Sequence, residues 1–262
     1  MAKRILSALI GIPLLLCVTY LGGIYIAILV AVMALLLLRE FFLLEQKMKL
    51  RGWPVLTALA ALGWLVLLFF QGETMMLPGL FLWFAVAFGR LALSYPHCQL
   101  RDALSNFFAL LYTVVLPSHF LLLRQIPEYG MAWALLLLIL IWATDSLAFL
   151  TGRLLGKHPL APRISPHKTI EGCIGGLAGS ILIGFLGWRW LQIGSWPFFI
   201  GLGLLVGVSA QIGDLLESSL KRIAGVKDSG NLIPGHGGVL DRFDSLVFAV
   251  PLVYYYITLL WV

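Results

Sequence analysis

Charge is scarce in this chain. Asp, Glu, Lys and Arg together make up 11% of its 262 residues, against roughly 25% in soluble domains. Cysteine is scarcer still. Cys17, Cys98 and Cys173 lie far apart, in or beside apolar runs and without C-x-x-C spacing. That excludes a zinc or disulfide framework and leaves three residues that read as small buried apolar groups. No A-x-A cleavage pattern follows the apolar run after Lys3 and Arg4, so that run reads as a retained helix, not a removed leader. Apolar residues fill the space that charge leaves: they make up 61%, and the mean hydropathy is +0.98. A soluble fold could not bury so much, so lipid must solvate much of this surface. The net charge of +6 then reads as membrane orientation and gives no reason to expect nucleic acid.

A spanning helix needs about 20 mostly apolar residues. Segments 5–22, 24–38, 53–70, 75–93, 106–123, 131–150, 173–191, 197–216 and 244–262 meet this. The expectation is an all-α polytopic integral membrane protein with about nine transmembrane helices and a cytoplasmic N-terminus. Gly22-Gly23 is read as a hairpin between the first two. With nine spans, 16 of the 18 basic residues fall inside, and only Arg124 and Arg189 fall outside. The opposite orientation would violate the bias of Lys and Arg toward cytoplasmic loops. The charged segment 39–52 is expected to lie along the interface, and Arg101-Asp102 to sit in a solvated loop. His97 and His119 have no metal-ligand partner spacing and read as structural. Gly172, Gly176, Ser180 and Gly184 recur every four residues, and Gly203 and Gly207 repeat the pattern; such stripes let helices approach closely in lipid.

Polar chemistry concentrates after residue 140. Residues 1–130 read as a helical scaffold with dimer and lipid contacts, and 131–262 as a catalytic region with cytoplasmic loops 151–172 and 217–243. Asp145 ends an apolar run, where a carboxylate at a helix centre would cost about 2.5 kcal/mol or more, so it is a candidate substrate-binding group; pairing with Arg153 is the plain structural explanation. The loop 151–172 contains Gly152-x-x-x-Gly156-Lys157-His158, which lacks the spacing and the hydroxyl of a phosphate-binding P-loop. Its later part offers Ser165, Lys168 and Thr169 as phosphate contacts. The densest cluster is 209–245. Asp214 is followed by Glu217, Ser218, Lys221 and Arg222 on one helical face; Gly235, Gly237 and Gly238 surround His236; Asp241 and Asp244 lie one turn apart. Asp214, Asp241 and Asp244 are hard oxygen ligands suited to Mg²⁺, and Lys221, Arg222, Lys227 and Arg242 can neutralise a triphosphate. Nucleotidyl transfer needs mainly such positioning and charge.

The run Ser218-x-Leu220-Lys221-Arg222, then Lys227-Asp228-x-Gly230, then Ile233-Pro234-x-His236-Gly237-Gly238-Val239-x-Asp241-Arg242-Phe243-Asp244 resembles the signature of phosphatidate cytidylyltransferases (CDP-diacylglycerol synthases). Asp145, Gly152-Arg153, the S-P-x-K-T-x-E-G stretch at 165–172 and Gly213-Asp214-x-x-Glu217-Ser218 are similar to that family as well; His167 stands where relatives often carry Lys. The resemblance implies transfer of the cytidylyl group of CTP to phosphatidic acid with release of pyrophosphate. It implies Mg²⁺ on Asp214 and Asp241, with a second cation such as K⁺, a homodimer and a lipid-accessible cavity. Asp214, Asp241, Asp244 and Lys221 are then the expected catalytic set. Ser165, Lys168, Thr169, Ser218, Arg222, Lys227, His236, Arg242 and Asp145 are the expected substrate contacts. The expected setting is a bacterial inner (plasma) membrane, with the site facing the cytoplasm. Two rival readings exist. A CDP-alcohol phosphatidyltransferase would carry D-G-x-x-A-R, which is absent here. An anion transporter would spread its polar sites over two corresponding halves.

Overall fold

In lipid an apolar run can satisfy its backbone only within itself or in a closed barrel. The computed structural model, which describes residues 2–232 and 237–261, takes the first course. Its helices are α1 (Ala2–Leu21), α2 (Gly23–Lys47), α3 (Pro54–Gln71), α4 (Met76–Ser94), α5 (Leu100–Leu110), α6 (Leu116–Gln125), α7 (Gly130–Leu155), α8 (Ile170–Leu191), α9 (Trp196–Ile223) and α10 (Leu240–Leu260). Seven described segments are long and apolar enough to cross a membrane, and the chain is a multi-pass membrane protein. One of the seven, Pro54–Ser94, folds back at a 3₁₀ turn, Gly72–Met75. Arg90 near the end of α4 therefore sits 4.5 Å over the ring of Trp53 before α3. A π turn, Leu111–Val115, joins α5 to α6 as one rod. The chain breaks at Gly22, where Arg124 holds the end of α1 through the carbonyls of Thr19 and Tyr20 at 2.7 and 3.0 Å.

Several helices outrun their apolar windows. The helix expected over 24–38 continues to Lys47, and the one expected over 197–216 continues to Ile223. An apolar window ends where side chains turn polar, but the backbone stays helical as long as protein packs around it. Segment 39–52 is accordingly no separate interfacial element: Glu40 and Glu45 on the last turns of α2 are buried, and Ser105 donates to Glu45. Asp102 is likewise no loop residue. It is 1% exposed and closes a capping box with Gln99 at the start of α5, also accepting from the Arg51 amide at 3.0 Å. Of the cysteines only Cys98 is buried, while Cys17 faces outward. His119 is buried and its Nδ1 lies 2.9 Å from the Val115 carbonyl oxygen.

The glycine stripe packs α8 on two sides. A Cβ on Gly176 would meet the Thr144 carbonyl of α7 at 2.9 Å, and one on Gly203 would meet the Ser180 carbonyl at 2.5 Å. One apolar core runs from Ile26 to Ile257 and includes residues from both halves of the chain. The loop between α7 and α8 forms a small antiparallel hairpin, β1 (Pro159–Ala161) and β2 (Ser165–Thr169). Arg222 at the end of α9 donates to its turn at Ile164. Side-chain contacts gather the ends of α2, α4, α7 and α9 with the starts of α3, α5, α8 and α10 at the same end of the bundle as this hairpin.

Candidate active site

Helices α7, α9 and α10 bring their polar ends together beside the hairpin, around a cavity of about 580 Å³. Asp145 and Arg153 of α7, His167, Lys168 and Thr169 of β2, Asp214 of α9, and Asp241, Arg242 and Asp244 of α10 line it. Close helix approach sets the geometry. A Cβ on Gly213 would meet the Asp244 carbonyl at 2.6 Å, so only glycine lets α9 and α10 touch there, which brings Asp214 beside Asp244. Thr169 caps α8 by accepting from the Gly172 amide at 3.1 Å. Glu171 in the first turn of α8 accepts from the amides of Lys157 and His158 at 3.0 and 3.3 Å, and lies 2.6 Å from His158 Nδ1. These bonds fix the hairpin that carries Lys168.

Carboxylate oxygens of Asp214, Glu217 and Asp244 all lie within 4.8 Å of one another. Their repulsion is only partly offset. Lys168 Nζ is 2.6 Å from Asp214, and Lys221 Nζ is 2.7 Å from Glu217. Buried Glu217 Oε1 accepts no hydrogen bond from a described residue. Three carboxylates at this spacing, one of them buried with an oxygen that accepts no hydrogen bond from a described residue, suit a hard divalent cation. Asp241 stands outside the triad. It is paired with Lys221 at 2.6 Å, and its other oxygen accepts from the Ser229 amide, the Ser229 hydroxyl and the Gly238 amide at 3.1, 2.9 and 2.8 Å. Of the residues expected as ligands, Asp214 and Asp244 meet, joined by Glu217, while Asp241 lies outside that cluster.

The other expected residues divide. Asp145, Lys168, Thr169 and Arg242 face the cavity. Asp145 has no ion-pair partner among the described residues, which removes the pairing with Arg153 as its explanation. Ser165, Ser218, Lys221, Arg222 and Lys227 do not line the cavity. Arg222 donates to the carbonyls of Ile164 and Val226 at 2.9 and 3.2 Å, Ser218 is buried, and Lys227 is exposed. His236 lies outside the described residues. Glu217 was visible three residues after Asp214 but was not assigned as a ligand. Glu40 and Ser229 gave no signal, because the contact between them spans 189 residues of sequence.

A model described as "Cytidylyltransferase family" matches residues 2–260. A phosphatidate cytidylyltransferase of Synechocystis sp. is 39% identical, over 98% of this chain and 97% of its own. Proteins of the same name from Staphylococcus aureus and Staphylococcus epidermidis are 34% and 35% identical, each over 97% of both chains.

Proposed function

This chain belongs to the cytidylyltransferase family and transfers the cytidylyl group of CTP to phosphatidate, giving CDP-diacylglycerol and pyrophosphate; we propose that it does so in the cavity between α7, α9, α10 and the hairpin. The observation that carries this placement is the pair of carboxylates of Asp214 and Asp244 on the wall of a cavity that also carries basic side chains, with buried Glu217 completing their cluster. An oxygen of the lipid phosphate attacks the α-phosphorus of CTP. The bond from that phosphorus to the bridging oxygen breaks, and pyrophosphate leaves with the electron pair. A phosphate monoester is largely ionised at neutral pH, with its second pKa about 6, so the attack needs no strong base. The barrier is the approach of two anions. Lys168, Arg153 and Arg242 supply positive charge along the cavity wall, and Thr169 and His167 add polar contacts. Phe149, 68% exposed and on the cavity rim, marks the side where acyl chains stay in lipid.

Asp214, Asp244 and Asp241 present carboxylates to the cavity, with Glu217 beneath, and these would hold Mg²⁺, with a second cation such as K⁺ beside it. Bound there, the cation would neutralise phosphate charge during the transfer. The test is pyrophosphate release by the purified protein in lipid vesicles. Release should require CTP, phosphatidate and Mg²⁺ together and stop on chelation. Undiminished release in excess chelator would remove the cation from the reading, and release without phosphatidate would remove the lipid nucleophile.

We further propose nine crossings with the cavity opening to the cytoplasm, where CTP is found. Support comes from the end of the bundle that holds the hairpin, which also gathers the charged ends of α2, α4, α7 and α9. Cysteines placed at exposed Lys157 and Lys227 should react with an impermeant thiol reagent only when it is given access to the cytosolic face. Reaction from outside intact cells would invert the topology. The homodimer that the resemblance implies stands as part of this proposal, to be read from the mass of the protein in detergent.

A further inference from the structure

A carboxylate buried without a cationic partner is unfavourable, and Glu40 on α2 is such a group: it is 0% exposed, and no Lys or Arg among the described residues lies within ion-pair distance. Its neighbours are donors from a segment about two hundred residues away. Oε1 accepts from the Val239 amide at 2.9 Å, and Oε2 from the Leu240 amide at 2.8 Å. The Ser229 hydroxyl lies 3.1 Å from Oε2 and 2.9 Å from Asp241 Oδ2. A hydroxyl has one proton, so Ser229 donates to one of these carboxylates at a time and links them. Glu40 therefore occupies the N-terminal end of α10, where helix amides and dipole favour an anion. The Val239 and Leu240 amides are thereby taken by the protein itself.

We infer that Glu40 is a positioning residue for cytidylyl transfer: from α2 it fixes the first turn of α10 and, through Ser229, the carboxylate of Asp241. Glycines next to these donors make the approach possible. The three nearest atoms that a Cβ on Gly230 would meet all belong to Glu40, at 2.5, 2.9 and 3.2 Å. Substitution at Gly230 must therefore displace the Glu40 carboxylate. The inference rests on the reaction assigned above and adds to it a residue from the half of the chain read as scaffold.

The experiment measures kcat and KM for CTP on full-length protein in vesicles, corrected for folded protein. Glu40→Gln keeps the shape but presents an amide donor to backbone amides; kcat should fall about 10- to 100-fold, as for other residues that orient metal-site ligands, with KM for CTP little changed. Ser229→Ala should lower kcat by a smaller factor. Gly230→Ala should lower kcat in the wild-type background and have no further effect in Glu40→Ala. Glu45→Gln, at the other buried acid of α2, is the control and should keep wild-type kcat. Wild-type kcat in Glu40→Gln, or an equal loss in Glu45→Gln, overturns the inference. Should Glu40→Gln fail to accumulate, wild-type kcat in both Ser229→Ala and Gly230→Ala overturns it. A wild-type protein that releases no pyrophosphate overturns the reaction itself, and this inference with it.

Discussion

Asp244→Asn should abolish CDP-diacylglycerol formation while leaving the protein at least as stable as before. Asp244 shares a 4.8 Å cluster with Asp214 and Glu217 and has no ion-pair partner among the described residues. Like charges held this close repel, and protein dielectric magnifies the repulsion. Neutralising one therefore relieves strain in the cation-free protein. The backbone bond from the Ser245 amide to Asp244 Oδ1, 2.7 Å, survives in the amide side chain. Turnover moves the other way, because a neutral oxygen is a poor ligand for a hard cation and the phosphates lose a neutralised partner. We expect a loss of at least about 10³-fold, or about 4 kcal/mol of barrier. Asp214→Asn should match it in activity; its stability gain should be smaller, since Lys168 loses its partner at 2.6 Å. The checks are thermal unfolding in detergent without divalent cation, and pyrophosphate release with it. An Asp244→Asn protein that unfolds earlier yet keeps turnover would show the carboxylate to be structural. Sites assembled for function commonly trade stability in this way.

The acids of this site were legible in sequence because lipid makes them conspicuous. A carboxylate at the end of an apolar run demands an explanation that a surface aspartate does not, and Asp145, Asp214 and Asp244 all stood out on that ground. Helical spacing placed Glu217 and Lys221 on the face of Asp214. It could not say how α9 and α10 are rotated against each other. That rotation, fixed where Gly213 meets the Asp244 backbone, sets Glu217 near Asp244 and leaves Asp241 to Lys221. Glu40 was hidden for a different reason. Arg39, Lys47, Lys49 and Arg51 surround it in sequence, so the segment read as a charged interfacial strip. Its true partners are backbone amides near residue 240, and backbone amides leave no mark in a sequence. The hairpin 159–169 is hard to see in sequence because Pro159, Pro162 and Pro166 crowd so short a segment. Proline is tolerated at strand ends and edges, and this two-stranded sheet is all edge.

Lys221 gives the sharpest separation between charge balance and catalysis. Its ammonium bridges Glu217 at 2.7 Å and Asp241 at 2.6 Å, and the three side chains are 13%, 1% and 8% exposed. Removing one partner of a buried pair strands the other charge and typically costs about 3–5 kcal/mol. Here two carboxylates would be stranded, so Lys221→Met should give little folded protein and no turnover. Adding Glu217→Gln removes a negative charge for the positive one lost and should restore much of the yield and the unfolding temperature. Activity should not return. Asp241 would still lack the ammonium that holds it, and the cluster would have lost a donor, so turnover stays down by about 10³-fold, equal to about 4 kcal/mol. Lys221→Arg tests geometry at constant charge. A planar guanidinium cannot replace a compact ammonium between two acids, so this protein should fold and turn over slowly. Near-normal turnover in Lys221→Met/Glu217→Gln would mean that the lysine only balances charge, and the catalytic assignment would then pass to the cations lining the cavity, Lys168, Arg153 and Arg242.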